Sequence, residues 1–298
     1  MTEQFKEISP QLVANEPMSR HTTFKIGGEA DMYVSVESVE ELCALIRLAK
    51  EKDVYYTVIG NGSNLLVSDS GIRGLVIEIG QGLAEYEVKG NTVYAQAGIL
   101  LKKLASVAAS ESLSGLEEVS GVPGTLGGGI FMNAGAYGGE LKDTVKKVTY
   151  VDDSGEMHTI TNEECEFGYR KSIFSGGGKY IVSAELELKK GDGAEIAGKM
   201  ADYTKRRREK QPISYPSAGS TFKRPEGNFA GTLIEKAGLK GYTSGGAMVS
   251  ELHAGFVINN GGATAQDVID VIEHTKKTVL EKFRVELEPE VRLIGDFK

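Results

Sequence analysis

Residues 121–139 read GVPGTLGGGIFMNAGAYGG, and eight of these nineteen are glycine. Glycine loses more backbone freedom on folding than any other residue, so a run this dense marks chain shapes or close approaches that a side chain would forbid. A flexible linker is polar and repetitive, whereas here Val122, Leu126, Ile130, Phe131 and Met132 are interleaved. Tight turns in an ordinary core would account for one such glycine. Eight of them with apolar neighbours read as a bed on which main chain lies directly against something flat or anionic.

A second glycine-bearing stretch stands upstream. Residues 55–59, YYTVI, are aromatic and β-branched and predict a buried strand, which enters Gly60-Asn61-Gly62-Ser63-Asn64-Leu65. A dinucleotide fingerprint needs a third glycine where Leu65 stands and a helix to follow; the chain continues instead as LLVSDSGIRGLVIEI, a strand, turn and strand. A phosphate loop of the Walker type needs Gly-Lys-Ser/Thr, which is missing. Several backbone N–H groups are still offered to an anion. This is a phosphate nest of another kind.

The totals bound the rest. At 298 residues the chain has room for about two domains, and 40% hydrophobic with 26% charged residues is usual for a globular protein. No apolar run reaches membrane-spanning length and residues 1–20 lack a signal peptide's apolar block, which predicts a cytoplasmic protein with no membrane partner. A net charge of −8 argues against a nucleic-acid partner. One basic cluster, Lys205 to Arg208 with Lys210, fits a helix end or a grip on a small polyphosphate. Cys43 and Cys165 form no paired spacing and the four histidines are scattered, so no metal site is expected.

Strands are expected at 30–36 and 180–188, hairpins at 85–97 and 145–160, and helices at 39–52, 99–110, 194–210 and 264–282. The last strand is expected over 284–294. The composition changes at 189–193, which sets a division into 1–190 and 191–298. The fold class is α+β, with a strand-rich first portion and a smaller α/β portion after it.

Three stretches carry reactive groups. In YRKSIF at 169–174, Arg170 stands beside Tyr169; a guanidinium there grips a carboxylate, or is simply a surface arginine. In AGSTFKRP at 218–225, extended chain would turn Ser220, Phe222 and Arg224 to one side; Ser220 is otherwise an ordinary turn former. In LEPEVR at 287–292, alternation puts Leu287, Val291 and Leu293 on the buried face and Glu286, Glu288, Glu290 and Arg292 on the other, with Pro289 marking an edge or bulge. From that third pattern alone, a solvated polar face is the simpler explanation.

Taken in order, HTTFKIGG at 21–28, Gly60-x-Gly62-Ser63-Asn64-Leu65, VPGTLGG at 122–128, Asn133-Ala134-Gly135, Tyr169-Arg170-x-Ser172-x-Phe174, Gly219-Ser220-x-Phe222-Lys223 and LEPEVR at 287–292 form an array. The array resembles the UDP-N-acetylenolpyruvoylglucosamine reductases of bacterial cell-wall synthesis, over about residues 18 to 295. The resemblance implies an FAD-binding domain of the vanillyl-alcohol-oxidase (PCMH) type over 1–190 and a C-terminal α/β substrate domain over 191–298. It implies that Gly60, Asn61, Gly62, Ser63, Asn64 and Leu65 hold the pyrophosphate of non-covalent FAD. Val122, Pro123, Gly124, Gly127, Gly128, Asn133, Ala134, Gly135 and Gly138 would lie along the cofactor.

The resemblance also implies the reaction: hydride from NADPH, through flavin, to the enolpyruvyl group of a UDP-sugar in peptidoglycan synthesis. Ser220 matches the family's proton donor, and Arg170 with Glu290 matches the pair that stabilises the enolic intermediate. Lys210 and Arg224 match phosphate contacts, and Arg292 and Tyr169 line the same site. The chain passes from Phe174 to the 180–188 strand with no inserted tyrosine-bearing loop, as in the family's shorter, second subclass. Another flavin oxidoreductase on the same scaffold is the alternative.

Overall fold

A computed structural model of the chain describes residues 2–297. The fold separates into two compact units. The first comprises residues up to 14, 32–61 and 74–206; the second comprises 15–31, 62–73 and the residues from 207 on.

The first unit is built on a five-stranded antiparallel sheet in the order Met157–Thr161, Val145–Asp152, Lys179–Glu187, Thr92–Gln96, Tyr86–Lys89. Val148 stands opposite Ile160 on one side and Ala184 on the other, and Ala184 in turn faces Ala95. Period-2 alternation sends Val93, Ala95, Val148, Ala184 and Leu186 inward. There they join Leu101 and Leu104 of the helix Leu101–Ser110 in one apolar core. The helix Val39–Glu51 buries Leu42, Leu45, Ile46 and Ala49, spaced to lie on one helical face. Ser38 caps it by accepting from the Glu41 amide at 3.1 Å. The strand Tyr56–Ile59 runs parallel to residues 75–78 and is less enclosed than its composition suggests: only Ile59 is buried and Tyr55 is 66% exposed.

The second unit has its own core. A three-stranded antiparallel sheet, Thr243–Ser244, Ala247–Val249 and Val257–Asn259, packs against the helix Ala265–Phe283, which buries Val268, Val271, Ile272, Thr275 and Val279. Thr264 and Asp267 cap this helix reciprocally, and Asp69 accepts from the Ala265 and Gln266 amides at 2.8 and 3.1 Å. Leu65–Val67 pairs in parallel with Arg292–Ile294.

The strand expected over 284–294 is regular only over those last three residues. Arg284 is left-handed at φ 59° and closes the helix, and Pro289 has no N–H to offer a ladder. Leu287 and Val291 are buried as the alternation predicts, but Leu293 is 48% exposed. Its strand is one of a two-stranded parallel pair with Leu65–Val67.

Candidate active site

The glycine bed is a short helix, Leu126–Phe131, followed by a tight hairpin pairing Gly135 with Glu140 and Ala136 with Gly139. Its glycines divide into two kinds. A Cβ on Gly127 would lie 2.9 Å from the Ala97 Cβ, and one on Gly129 would lie 2.7 Å from Leu141 Cδ1, so these two serve packing inside the unit. A Cβ on Gly128 would meet only Thr125 Oγ1, at 3.5 Å, and one on Gly138 would meet nothing within 4 Å. Gly128 is therefore open at its Cβ position, and Gly138, open as well, is also left-handed at φ 100° in the hairpin turn.

The predicted stretches at 60–61 and 122–128 do come together. Asn61 donates to the Pro123 carbonyl at 2.6 Å, and a Cβ on Gly60 would stand 2.6 Å from Thr125 Oγ1. Val122 donates to Val119 at 2.9 Å and the Gly124 carbonyl accepts from Leu101 at 3.0 Å, which fixes the turn before the short helix.

The segment 168–172, which leads into and includes most of YRKSIF, docks on the bed at three successive points. Asn133, fully buried and left-handed at φ 42°, donates from its side chain to the Gly168 carbonyl at 3.0 Å. Arg170 donates from its guanidinium to the Gly135 carbonyl at 3.0 Å, and Ser172 from its hydroxyl to the Phe131 carbonyl at 2.8 Å. The Asn133 side chain also donates to Glu140 and accepts from the Lys142 amide at 3.0 Å, so it is spent on the protein itself. The Ala134 amide donates to the Gly129 carbonyl at 2.8 Å. Arg170 has φ 54° and its guanidinium sits 5.1 Å from the Tyr169 ring centre, Tyr169 being half exposed. A bulky residue held left-handed is strained, and such strain gathers where a side chain must be aimed.

Sequence reasoning gave no role to Ser172 or to Tyr137. Tyr137 occupies the hairpin turn at φ 52°, where glycine, asparagine or aspartate is usual, and stacks on Tyr203 at 4.4 Å between ring centres. A tyrosine at that place in the turn is the signal that would have flagged it.

In the second unit, Gly62 at φ 61° lies against the chain at His21, whose carbonyl oxygen would stand 1.9 Å from an added Cβ. The amides of Gly62, Ser63 and Asn64 donate to no acceptor among the described residues. Next to them a ladder of three distant segments forms. Asn64 donates from its side chain to the Glu290 carbonyl at 3.1 Å and accepts at its own carbonyl from the Arg292 amide at 2.9 Å. On the far side, the Glu290 amide donates to the Thr221 carbonyl at 2.8 Å and the Lys223 amide to the Glu288 carbonyl at 2.9 Å. The Ser220 and Glu290 segments are therefore bonded neighbours.

The expected common face of Ser220, Phe222 and Arg224 does not form. Gly219 is left-handed at φ 76°, Ser220 is exposed, and both Thr221 and Phe222 are buried. Thr221 accepts from the Val257 amide at 2.9 Å, which turns it into the core beside Phe222. Arg224 is exposed and lies 4.4 Å from the Phe229 ring centre, a cation–π contact. Lys223 pairs with Glu288, and Lys210 is exposed at the end of the helix Gly193–Lys210. Arg170 belongs to the first unit; Ser220, Glu290 and Arg292 belong to the second. Among the described residues no group of three or more His, Cys, Asp or Glu is placed to hold a metal, and no helix is long and apolar enough to cross a membrane.

Open amides at 62–64 suit a pyrophosphate, and the bare glycines 128 and 138 suit a flat ring laid on main chain. An FAD-binding domain family model matches residues 30–161. The chain is thus a flavoprotein with a mixed α and β FAD-binding domain. Residues 211–294 match the model of the UDP-N-acetylenolpyruvoylglucosamine reductase C-terminal domain. The chain is 52% identical over 292 residues, 97% of its own length and 96% of the relative's, to UDP-N-acetylenolpyruvoylglucosamine reductase of Alkaliphilus oremlandii. It is 50% identical over 282 residues, covering 95% and 93%, to the enzyme of that name from Clostridioides difficile. The crystal structure of the Thermus caldophilus reductase (MurB) is similar with a TM-score of 0.82 at 37% identity, covering 96% of this chain and 98% of that one. The chain belongs to the UDP-N-acetylenolpyruvoylglucosamine reductase family.

Proposed function

We propose that the protein is a cytoplasmic reductase that converts UDP-N-acetylenolpyruvoylglucosamine to UDP-N-acetylmuramate with NADPH, its first portion, 1–190, carrying FAD and its second, 191–298, the UDP-sugar. The observation that carries this reading is the ladder joining the phosphate-nest residue Asn64, Glu290 and the chain beside Ser220 in one hydrogen-bonded frame. FAD, when bound, supplies the carrier that accepts hydride from NADPH and delivers it to the vinyl carbon of the substrate.

The chain's own groups do the rest. Hydride on the CH2 carbon leaves enolate charge on the substrate carboxylate, and a guanidinium there stabilises the transition state more than the ground state. Arg170 supplies it, its guanidinium already turned toward the bed by the Gly135 carbonyl. The adjacent carbon then takes a proton from the Ser220 hydroxyl, a weak acid in water that an enolate excluded from solvent can deprotonate. Glu290 shares the enolic intermediate with Arg170. Gly60 to Leu65 would hold the pyrophosphate of FAD, and Val122, Pro123, Gly124, Gly128, Asn133, Ala134, Gly135 and Gly138 would form its bed, with Gly127 seating the short helix beneath it on Ala97. Asn133 acts there through its backbone, since its side chain is already committed. Lys210 and Arg224 bind the UDP phosphates, with Tyr169 and Arg292 beside them.

Stopped-flow observation of the flavin separates the half-reactions. Ser220→Ala is expected to slow reoxidation by the enolpyruvyl sugar by about 10²–10⁴-fold, the range of general-acid effects, and to slow reduction by NADPH far less. Equal slowing of both would remove Ser220 as the proton donor.

A further inference from the structure

The proposed function gives Glu290 a catalytic carboxyl and residues 60–65 a cofactor phosphate, and the structure links the two through one side chain. Asn64 Nδ2 donates to the Glu290 carbonyl at 3.1 Å, while the Asn64 carbonyl accepts from the Arg292 amide at 2.9 Å. The carbonyl of Glu290 only accepts, so chemistry dictates that the NH2 of the asparagine faces it rather than the oxygen. With the Glu290 amide held by the Thr221 carbonyl at 2.8 Å, residue 290 is gripped from both sides.

We propose that Asn64 is a positioning residue for Glu290: its side-chain amide makes the seating of the 62–64 loop determine where the Glu290 carboxyl stands. The inference rests on the catalytic reading of Glu290. The local chain needs such a hold. Regular pairing begins only at Arg292, Pro289 contributes no N–H, and the bridge between Phe222 and Pro289 is isolated. The Asn64 bond spans 226 residues of sequence, and it acts on the main chain of the one residue whose carboxyl must be aimed. If the peptide plane after Glu290 turns, the carboxyl moves with it, and a misplacement near 1 Å costs up to about a hundredfold in rate.

The test uses the FAD-loaded enzyme. Asn64→Ala removes the donor; Asn64→Asp keeps the shape and sets an acceptor against the carbonyl. In both variants reoxidation by the enolpyruvyl sugar is expected to slow about tenfold more than reduction by NADPH, with the aspartate variant the slower. Peptide-resolved hydrogen exchange should quicken over 288–292, a readout that does not depend on turnover. In a Glu290→Gln background the Asn64→Ala change should cost less than about twofold, because the carboxyl it positions is gone. Equal slowing of the two half-reactions, unchanged exchange over 288–292, or full additivity with Glu290→Gln overturns the proposal. Failure of the underlying reading looks different: Glu290→Gln alone would then reoxidise at the wild-type rate, and both ideas would fall.

Discussion

The bed at 121–139 and the ladder joining residues 64, 221 and 290 both fix main chain in a set shape, and they reach that end by opposite routes. The bed is made from one continuous stretch: Thr125 caps its short helix, Gly127 and Gly129 let that helix settle on Ala97 and Leu141, and Gly128 and Gly138 stay bare. The ladder is made from three segments that share nothing in sequence, held by main-chain bonds of 2.8–2.9 Å and by one asparagine. The lesson is where each is fragile. A local device fails one residue at a time, whereas a long-range one fails at the residues that bring the segments together.

The largest expected effect tests that fragility. Gly62→Ala would put a Cβ 1.9 Å from the His21 carbonyl oxygen at a backbone angle of +61°. Backbone strain and overpacking together should cost about 3 kcal/mol or more, read as a fall in the urea midpoint. Stability within about 1 kcal/mol of wild type would show that the 62–64 segment is not pinned to the chain at His21.

An intermediate effect comes from the cap on the helix Ala265–Phe283. The hydrogen bond from the Thr264 amide, with a further one from Gly246, holds the Asp267 carboxyl below its usual range. A carboxyl whose folded pKa is depressed stabilises fully above its unfolded value, near pH 4, and loses that contribution as pH falls through the folded value. Asp267→Asn should therefore cost about 1 kcal/mol at pH 7, as lost caps do, with the deficit shrinking on acidification. A deficit that stays constant down to pH 3 would assign the effect to packing instead of charge.

The smallest effect on stability sharpens the other side. Gly128→Ala meets only Thr125 Oγ1 at 3.5 Å and gains helix propensity, so the melting midpoint should hold or rise, within about 1 kcal/mol. FAD affinity, followed by flavin fluorescence, should nonetheless weaken, because the methyl group narrows the bed. Gly127→Ala should do the reverse: its Cβ would press on Ala97 at 2.9 Å, lowering the midpoint first. If Gly128→Ala binds FAD as wild type does, the bare face of the bed is not where the ring lies.

Much of this was legible in the chain. The periodicity of Leu42, Leu45, Ile46 and Ala49 and the Thr264 cap located two helices to within a residue or two. The hairpin expected over 145–160 forms, with Val148 opposite Ile160. The glycine bed was visible as a density of residues that only close backbone approach explains. Other readings failed where alternation was extended over residues without continuous pairing. Phe222 turns into the core although Ser220 does not, because Gly219 breaks the extended run and Thr221 is drawn inward by Val257. Leu293 emerges to solvent for the same kind of reason.

By itself the order of residues determined the elements, the glycine stretches and the family array, since capping, periodicity and backbone freedom act over a few neighbouring positions. Only the tertiary structure decided which glycines face outward and that Asn133 is spent within the protein. It also decided that Asn64 reaches the main chain of Glu290 across 226 residues. Those outcomes depend on which distant carbonyl stands within 3 Å of a donor, and no local pattern encodes that distance.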